Sequence, residues 1–492
     1  MVESPENIDG KFLHMMNDKI YHSPLSARYA SQEMSYLFSP HHKYTVWRKL
    51  WIALAKAQQM CGLPITDAQI QSLLQHVDKV DLAKAEEYEK QLRHDVMAHI
   101  HAYGEQCPEA KGIIHLGATS CYVTDNGDLL QMREALRLIR NKTIQVIRQL
   151  QPFSAQYAHL SCLSYTHFQA AQPTTVGKRA CLWLQDFLID LKDLEHAIEE
   201  IHFLGVKGAT GTQASFLSLF QGNHHKVKEL ETLVAREMGF SRILAISGQT
   251  YTRKQDIRIA ATLASLAASA HKFATDLRLL SHLKEIEEPF AEKQVGSSAM
   301  PYKRNPVRCE RICGLARFLI SLNENALYTE STQWLERTLD DSANRRLYIP
   351  ELFLTADAIL NLLCNVTANL VVHPKMIEKH LNEELPFLAT EHILMEAVKS
   401  GKDRQQVHER LRIHSLEASK QIKEHGQPND LLQRIAKDPA IGFTLEEIQE
   451  FARPEHFIGR AVEQVHSFLN DEVAPALHRY QEIKPVSPSV HV

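Results

Sequence analysis

The run GSSAMPYKRNP, residues 296–306, lies between two segments with strong helical periodicity and is dense in groups that can manage a developing anion. Gly296, Pro301 and Pro306 restrict its backbone, Ser297 and Ser298 offer hydroxyls, and Lys303 and Arg304 bring positive charge. A polar loop between helices has the same composition, so the run alone fixes no reaction. Two further pairs combine a cation with a hydroxyl, Arg28 with Tyr29 and Ser342 with Arg346, the combination that holds phosphate by charge-assisted hydrogen bonds. A lone arginine is by default a solvated surface charge. Arg93, His94 and Asp95 precede His99 and His101, which raises a metal site, but positions 94, 99 and 101 do not follow the three- or four-residue step that places ligands on one helix face. No metal is expected. The stretches 208–211 and 175–179 contain glycines without the spacing of a phosphate-binding loop, because Lys178 is followed by Arg179 within helical sequence. Neither a G-x-S-x-G elbow nor a dinucleotide fingerprint is present.

Long helices must position these groups. Alternating β-branched and aromatic runs are scarce, while helical periodicity recurs from Trp47 to His478, so the chain reads as all-α. An early helix is expected from about Val46 to Cys61, ended by Gly62 and Pro64, and another from Thr66 with Gln69 completing a capping box. Longer helices are expected over Asn126 to Leu150, Thr174 to Leu204 and Asp256 to Leu283. In the last, Ala260, Leu263, Ala267, Ala270, Ala274 and Leu277 form one stripe, and Ile257, Leu266 and Phe273 widen it, as in a helix with several neighbours. Small alanines over such a length suit a bundle shared between subunits. Shorter helices broken by Pro386, Gly401 and Gly426 follow Pro374. Three domains are expected: 1–120, a central bundle over 121–373, and 374–492.

The chain has 492 residues, 44% hydrophobic and 23% charged, with a formal net charge of -4. That balance points to neither nucleic acid nor an anionic membrane as a partner, so any anion is bound locally. Met1 to Ile20 lacks the basic start and apolar run of a signal peptide, and is expected to fray. No membrane span is expected, and the tail from Lys484 is expected to be disordered. Eight scattered cysteines read as reduced thiols.

The 296–306 run matches every fixed position of the fumarase/aspartase superfamily signature: Gly-Ser-Ser, any residue, Met-Pro, any residue, Lys, any residue, Asn-Pro. Five further segments, SPLSARYAS (23–31), LRHDVMAH (92–99), IHLGATSCYV (114–123), THFQAAQPTTVGK (166–178) and RTLDDSANRR (337–346), resemble one branch in its animal-type form. That branch eliminates fumarate from succinylated purine nucleotides. Ala171 departs from the pattern, where a proline commonly stands. The stretches before Tyr21 and after Ile483 fall outside the resemblance.

The resemblance implies a three-domain helical fold with its central bundle shared in a homotetramer, active sites built from several subunits, a cytoplasmic enzyme and no cofactor. Its substrates would be adenylosuccinate and the succinylated aminoimidazole carboxamide ribotide of the earlier purine pathway. By the same resemblance His167 is the general acid and Ser297 the general base, with Ser298 left open as an alternative. Lys303 would stabilise charge, and His94 would orient the base or a substrate carboxylate. Arg28, Tyr29, Ser342 and Arg346 fall on the nucleotide phosphate, and Arg93 and Asp95 near the nucleotide. Arg311 and Arg337 fall at substrate-binding positions, and Thr119, Ser120, Thr166 and Gln249 at succinyl- and base-contacting ones. Neighbouring Arg345 reads as a surface charge. Two other functions stand beside this one: another lyase of the superfamily, such as argininosuccinate lyase or fumarase, and a structural protein on the same scaffold, like the lens crystallins that resemble argininosuccinate lyase.

Overall fold

The computed structural model describes residues 21–291 and 293–486, and its regular structure is almost entirely helical. The N-terminal stretch expected to fray, and all but three residues of the tail from Lys484, lie outside the described residues. Helix α1 (Pro40–Met60) starts a turn and a half before the expected Val46, because Ser39 caps it by accepting the His42 amide and Pro40 fits the first helical position. The capping box of Thr66 and Gln69 opens a short helix as the sequence implies. Helix α2 (Asp95–Gln106) follows.

Five long helices form the body: α3 (Cys121–Gln156), α4 (Val176–Glu199), α5 (Lys254–His282), α6 (Val307–Ser331) and α7 (Asp340–Ala368). Every residue of the expected α5 stripe is buried, as are Leu266 and Phe273. Side-chain bonds fix the directions. On α3 and α7, Lys142 meets Asp357 and, further along both, Gln149 accepts from Thr367 at 2.7 Å, so the two run parallel. Trp183 of α4 donates to Asp276 of α5 at 2.7 Å while Asp190 accepts from Ser265 at 3.3 Å, so these are antiparallel. Thr275 beside Cys313, and Thr329 donating to Asn344, show that α6 descends between α5 and α7. Helices α3, α5 and α7 therefore begin at one end of the bundle, and α4 and α6 at the other. With 36 residues, α3 spans about 54 Å between the ends.

A β-hairpin that the helical periodicity does not announce lies between α3 and α4. Strands β1 (Ser161–Thr166) and β2 (Gln169–Thr175) pair antiparallel, with a register shift at Leu163/Ser164. The hairpin fills the gap before α4, which begins at Val176 rather than the expected Thr174, and Thr175 caps the helix from the last strand residue. Gly177 is required there, since a Cβ would lie 2.4 Å from the Ser154 carbonyl of α3. Helix α7 is long and apolar enough to cross a membrane, but 83% of its apolar window is buried in the bundle, as befits a core helix.

After α7, helix α8 (Pro374–Leu388) packs on the hairpin. Residues 389–452 enclose a separate small core around Ile393, Leu411, Ile435 and Ile448. Val465, Leu469 and Val473 then return to the main core, which also takes in Trp47 and Trp51 of α1.

Candidate active site

A cleft of about 910 Å³ opens at the end of the bundle where α3, α5 and α7 begin. His94, Ser120 and Ser342 all line it, each within a residue or two of the start of α2, α3 or α7, so three positive helix ends converge on one space. His94 caps α2 by accepting the Met97 amide on Nδ1 at 3.3 Å, which leaves the other ring nitrogen 3.4 Å from the Ser120 hydroxyl. A neutral imidazole that accepts on Nδ1 carries its proton on Nε2, facing Ser120. The Ser120 hydroxyl makes no helix cap and is thus available to a ligand. Arg93 adopts a left-handed backbone at the end of the preceding helix. Asp95 holds Arg346 at 2.8 Å. Gln249 is fixed by donating to the Ala209 carbonyl at 2.9 Å and accepting from the Cys121 thiol.

A buried charge network forms the floor. Arg253, 1% exposed, bonds Asp125 at 2.9 Å and Asp341 at 2.7 Å. Asp341 also accepts from Arg337 at 2.8 Å, which aims that guanidinium along the cleft wall. Arg345 is buried and bonds Asp256 at 2.8 Å, Asp128 at 2.9 Å and the Tyr251 hydroxyl. The reading of Arg345 as a surface charge is therefore wrong: its α7 face turns into the bundle, where four aspartates hold the two arginines. In this setting Asp341 titrates below the usual carboxylate range: burial opposes ionisation, but Arg253 and then Arg337 outweigh it. Lys43 of α1 also lines the cleft, its pKa lowered by burial despite the pull of Asp128. Nothing in the local sequence singles out Lys43, whereas Asp125 and Asp128 could have been suspected from their place just after the 114–123 segment.

His167 lies at the opposite end of the bundle, at the tip of the hairpin. Both tip residues, His167 and Phe168, have left-handed backbones, with φ of 53° and 58°. Such turns usually take Asn-Gly, and each non-glycine residue here costs about 1 kcal/mol. Neighbouring contacts hold the root of the hairpin. Arg179 donates to the Leu163 carbonyl at 2.5 Å, and its partner Glu285, fully buried, is bonded at 2.9 Å by His380 of α8. Thr166 ends β1 opposite Gln169.

The 296–306 loop sits at this same end, between α5 and α6. Its root is tight: Glu288 accepts the amides of Arg308 and Cys309 at 3.1 and 2.9 Å, and Arg308 reaches back to Gln294 at 3.0 Å. The Gly296 carbonyl accepts from Asn305 at 3.0 Å, and a Cβ on Gly296 would lie 2.1 Å from the Lys303 carbonyl, so only glycine closes the loop. The Ser297 hydroxyl accepts the amides of Met300 at 3.1 Å and Ala299 at 3.4 Å. Two amide donors aimed at one hydroxyl oxygen are what an alkoxide needs.

Arg28 and Tyr29 lie in a π-helical turn, Leu25–Tyr29, against the middle of α7. The Tyr29 ring carries Arg28 at 5.9 Å and Arg311, near the start of α6, at 5.4 Å. One η nitrogen of Arg311 is buried without a hydrogen-bond partner. The expected residues thus fall into separate groups within one chain. Arg93, His94, Asp95, Ser120, Gln249, Arg337, Ser342 and Arg346 line the cleft, with Thr119 adjoining Ser120. Arg28, Tyr29 and Arg311 form a second group. His167 with Thr166, and Ser297 with Lys303, stand apart on the far end. His99 and His101, weighed above as ligands, are stacked on Tyr44 and Tyr88 instead, and burial lowers the His99 pKa to about 4. Among the described residues no group of three or more His, Cys, Asp or Glu side chains is arranged around a common point.

Comparison with known proteins agrees with this architecture. Residues 27–319 match the family model described as "Lyase", and residues 386–468 match "Adenylosuccinate lyase C-terminus". The chain is 52% identical to adenylosuccinate lyase of Saccharomyces cerevisiae over 94% of its own length and 96% of that protein's. It is 48% identical to the Schistosoma mansoni adenylosuccinate lyase, covering 96% and 99%. Among solved structures, 3-carboxy-cis,cis-muconate lactonizing enzyme from Pseudomonas putida has the same fold at 20% identity, with a TM-score of 0.78 over 94% of this chain and 100% of that one. A fumarate lyase from Mesorhizobium sp. BNC1 does so at 21% identity, with a TM-score of 0.76 over 92% and 99%. With half the residues of two full-length relatives shared, and with a family-specific match to the C-terminal region, this chain belongs to the adenylosuccinate lyase family.

Proposed function

We propose that the chain is a carbon–nitrogen lyase that releases fumarate from adenylosuccinate, giving AMP, and from the succinylated aminoimidazole carboxamide ribotide. Elimination requires a base on the succinyl carbon beside a carboxylate and an acid on the departing nitrogen. Ser297 takes the carbon-bound proton onto its oxygen, the electron pair forms the double bond of fumarate, the C–N bond breaks, and His167 protonates the nitrogen. The amides of Ala299 and Met300, with the Lys303 ammonium, lower the cost of the Ser297 alkoxide, and these two amides favour Ser297 over Ser298 as the base. His94 and Ser120 face the succinyl carboxylates at the positive end of α3, and Thr119, Thr166 and Gln249 contact the succinyl group and the purine. Arg93 and Asp95 border the nucleotide. Ser342, Arg346, Arg337, Arg28, Tyr29 and Arg311 hold it, the first two with Arg28 and Tyr29 at its phosphate.

One observation carries this reading: the cleft residues that would bind the nucleotide and the groups that would move protons occupy opposite ends of a bundle about 54 Å long, with Arg28, Tyr29 and Arg311 away from the cleft in the same chain. A complete site then needs several chains, and a homotetramer with bundles packed in opposed directions brings the two ends together. Exposed Leu182 and Ile189 on α4, and Phe318, Leu327 and Tyr328 on α6, support such association along the bundle sides. Domain limits at 120/121 and 373/374 suit this arrangement, with the separate core of 389–452 supporting the second. Eight buried, unpaired cysteines fit a reducing compartment, and we place the enzyme in the cytosol. The deciding assay follows absorbance with adenylosuccinate, the succinylated ribotide and argininosuccinate. Turnover of the first two and none of the third is expected, and turnover of argininosuccinate alone overturns the proposal.

A further inference from the structure

A charged pair sits inside the main core where α3 crosses α7. Lys142 and Asp357 are 7% and 0% exposed at the side chain and bond directly. The Lys142 ammonium also donates to Asn361 at 2.7 Å and to the Ser31 hydroxyl at 3.2 Å. The second Asp357 oxygen accepts the Ser31 backbone amide at 2.6 Å and the Asn361 side chain at 3.2 Å. The same Asn361 nitrogen reaches the Tyr29 carbonyl at 3.4 Å.

Desolvating such a pair cancels most of its attraction, and an apolar pair of similar volume is usually as stable or more so. Stability alone therefore gives no reason for the pair. What an apolar pair could not do is grip a neighbouring backbone. Here the gripped backbone is Tyr29 to Ser31, directly beside Arg28. Without that grip the turn is closed by its own bonds, Ala30 to Leu25 at 2.8 Å and Ala27 to Ser23 at 3.0 Å, and by burial of Leu25. Those bonds shape the turn; outside the buried pair and Asn361 its polar tie to α7 is a long one, the Ser23 hydroxyl donating to Glu351 at 3.4 Å, and the Tyr29 ring meets Arg311 at 5.4 Å.

We infer that Lys142, Asp357 and Asn361 are positioning residues that set the direction in which Arg28 and Tyr29 meet the phosphate of the ligand. The inference rests on the reading of Arg28 and Tyr29 as phosphate-binding. Arg28 carries its charge at the end of a long side chain, so a small rotation of the turn is enlarged at the guanidinium and moves it off its target, and geometry of that kind costs binding rather than folding.

The test compares full-length Lys142→Met/Asp357→Leu, Arg28→Ala and the three combined, by thermal unfolding and steady-state kinetics with adenylosuccinate. The double variant is expected to unfold no earlier than the parent, to keep kcat within about twofold, and to raise KM about tenfold, the pattern of lost ground-state binding. Adding Arg28→Ala to it should raise KM little further, because both changes remove one interaction. If Arg28→Ala raises KM while the double variant does not, or if the two effects multiply, the positioning role is wrong. If Arg28→Ala leaves KM unchanged, the phosphate reading fails first and takes this inference with it. Should the double variant not assemble, Asn361→Leu, which loses the tie to Tyr29 with little change in volume, is judged by the same KM and the same combination with Arg28→Ala.

Discussion

The two ends of the bundle are built on different principles. At the cleft end, side chains from α2, α3, α5 and α7 are locked by a network in which Arg253 and Arg345 are shared among four aspartates. At the hairpin end, His167 and Ser297 ride on a turn and a loop whose roots are bonded but whose tips project from the body. A surface that recognises a fixed nucleotide gains from rigidity. Groups that close on a substrate bound elsewhere gain from reach.

Removing the centre of the rigid end should have the largest effect. Arg253→Met leaves Asp125 and Asp341 buried with their main partner gone, and should cost about 3–5 kcal/mol in denaturant unfolding. A loss below 1 kcal/mol would mean the floor is as adaptable as the hairpin end, and the contrast collapses. Next in size are the two tips. His167→Ala and Ser297→Ala should each reduce kcat about a hundredfold or more with the fold intact. Mixed after dissociation and reassembly, the two dead proteins should recover activity at about a quarter of the sites. Verified hybrids as inactive as their parents would place both groups in one site and remove the need for several chains.

Between the ends, Asp190 on α4 offers a smaller test. It is 2% exposed, and burial raises its pKa to about 6 against the hydrogen bonds of Ser269 and Ser265. A carboxyl whose folded pKa is raised binds its proton more tightly in the folded state, so stability falls as pH climbs from about 4 through 6. Asp190→Asn should therefore stabilise at pH 8 by up to about 3 kcal/mol and change little at pH 4. Equal gains at both pH values would show that ionisation is not the cause. The smallest effect is expected at the rim of the cleft. Arg346 is exposed and held by Asp95, and Arg346→Ala should raise KM about tenfold with a lesser fall in kcat. An unchanged KM reopens the argininosuccinate reading.

The helical body was legible because burial imposes a period: the α5 stripe from Ala260 to Leu277 can be read from its spacing alone, and the capping box at Thr66 and Gln69 from its residue types. The hairpin was not. Its strands are short, β2 contains Pro173, and its tip is His-Phe where turn chemistry favours Asn-Gly, so local preference pointed away from it and tertiary contacts with α8 decided. The 296–306 loop was visible through its glycine and prolines, and the structure explains Gly296 by a carbonyl where a Cβ would go. Arg345 was misjudged because two arginines in succession on a helix look alike in sequence. One faces Asp95 at the cleft rim and the other faces Asp256 and Asp128 inside, a difference set by the partner helices. Asp125 and Asp128 could be suspected from their place beside the 114–123 segment, but their pairing could not, since the members of the network are up to 220 positions apart, from Asp125 to Arg345.

That separation has a consequence for how the protein is made. A ribosome delivers Asp125 and Asp128 early, Arg253 only after another 125 residues, and Asp341 and Arg345 after roughly two-thirds of the chain has emerged. Until then the nascent α3 and α5 can join Asp125 to Arg253, but Asp128 and Asp256 stand on faces destined for the interior without the arginine that neutralises them. A product stopped at residue 330 holds Asp125 and Arg253 but neither Asp341 nor Arg345, so its unfinished floor keeps water. The cleft end therefore stays open until about residue 345 has emerged, and the hairpin end, which waits for α8 and its His380, stays open longer still; through both stages the growing chain depends on whatever shields exposed helices as they leave the exit tunnel.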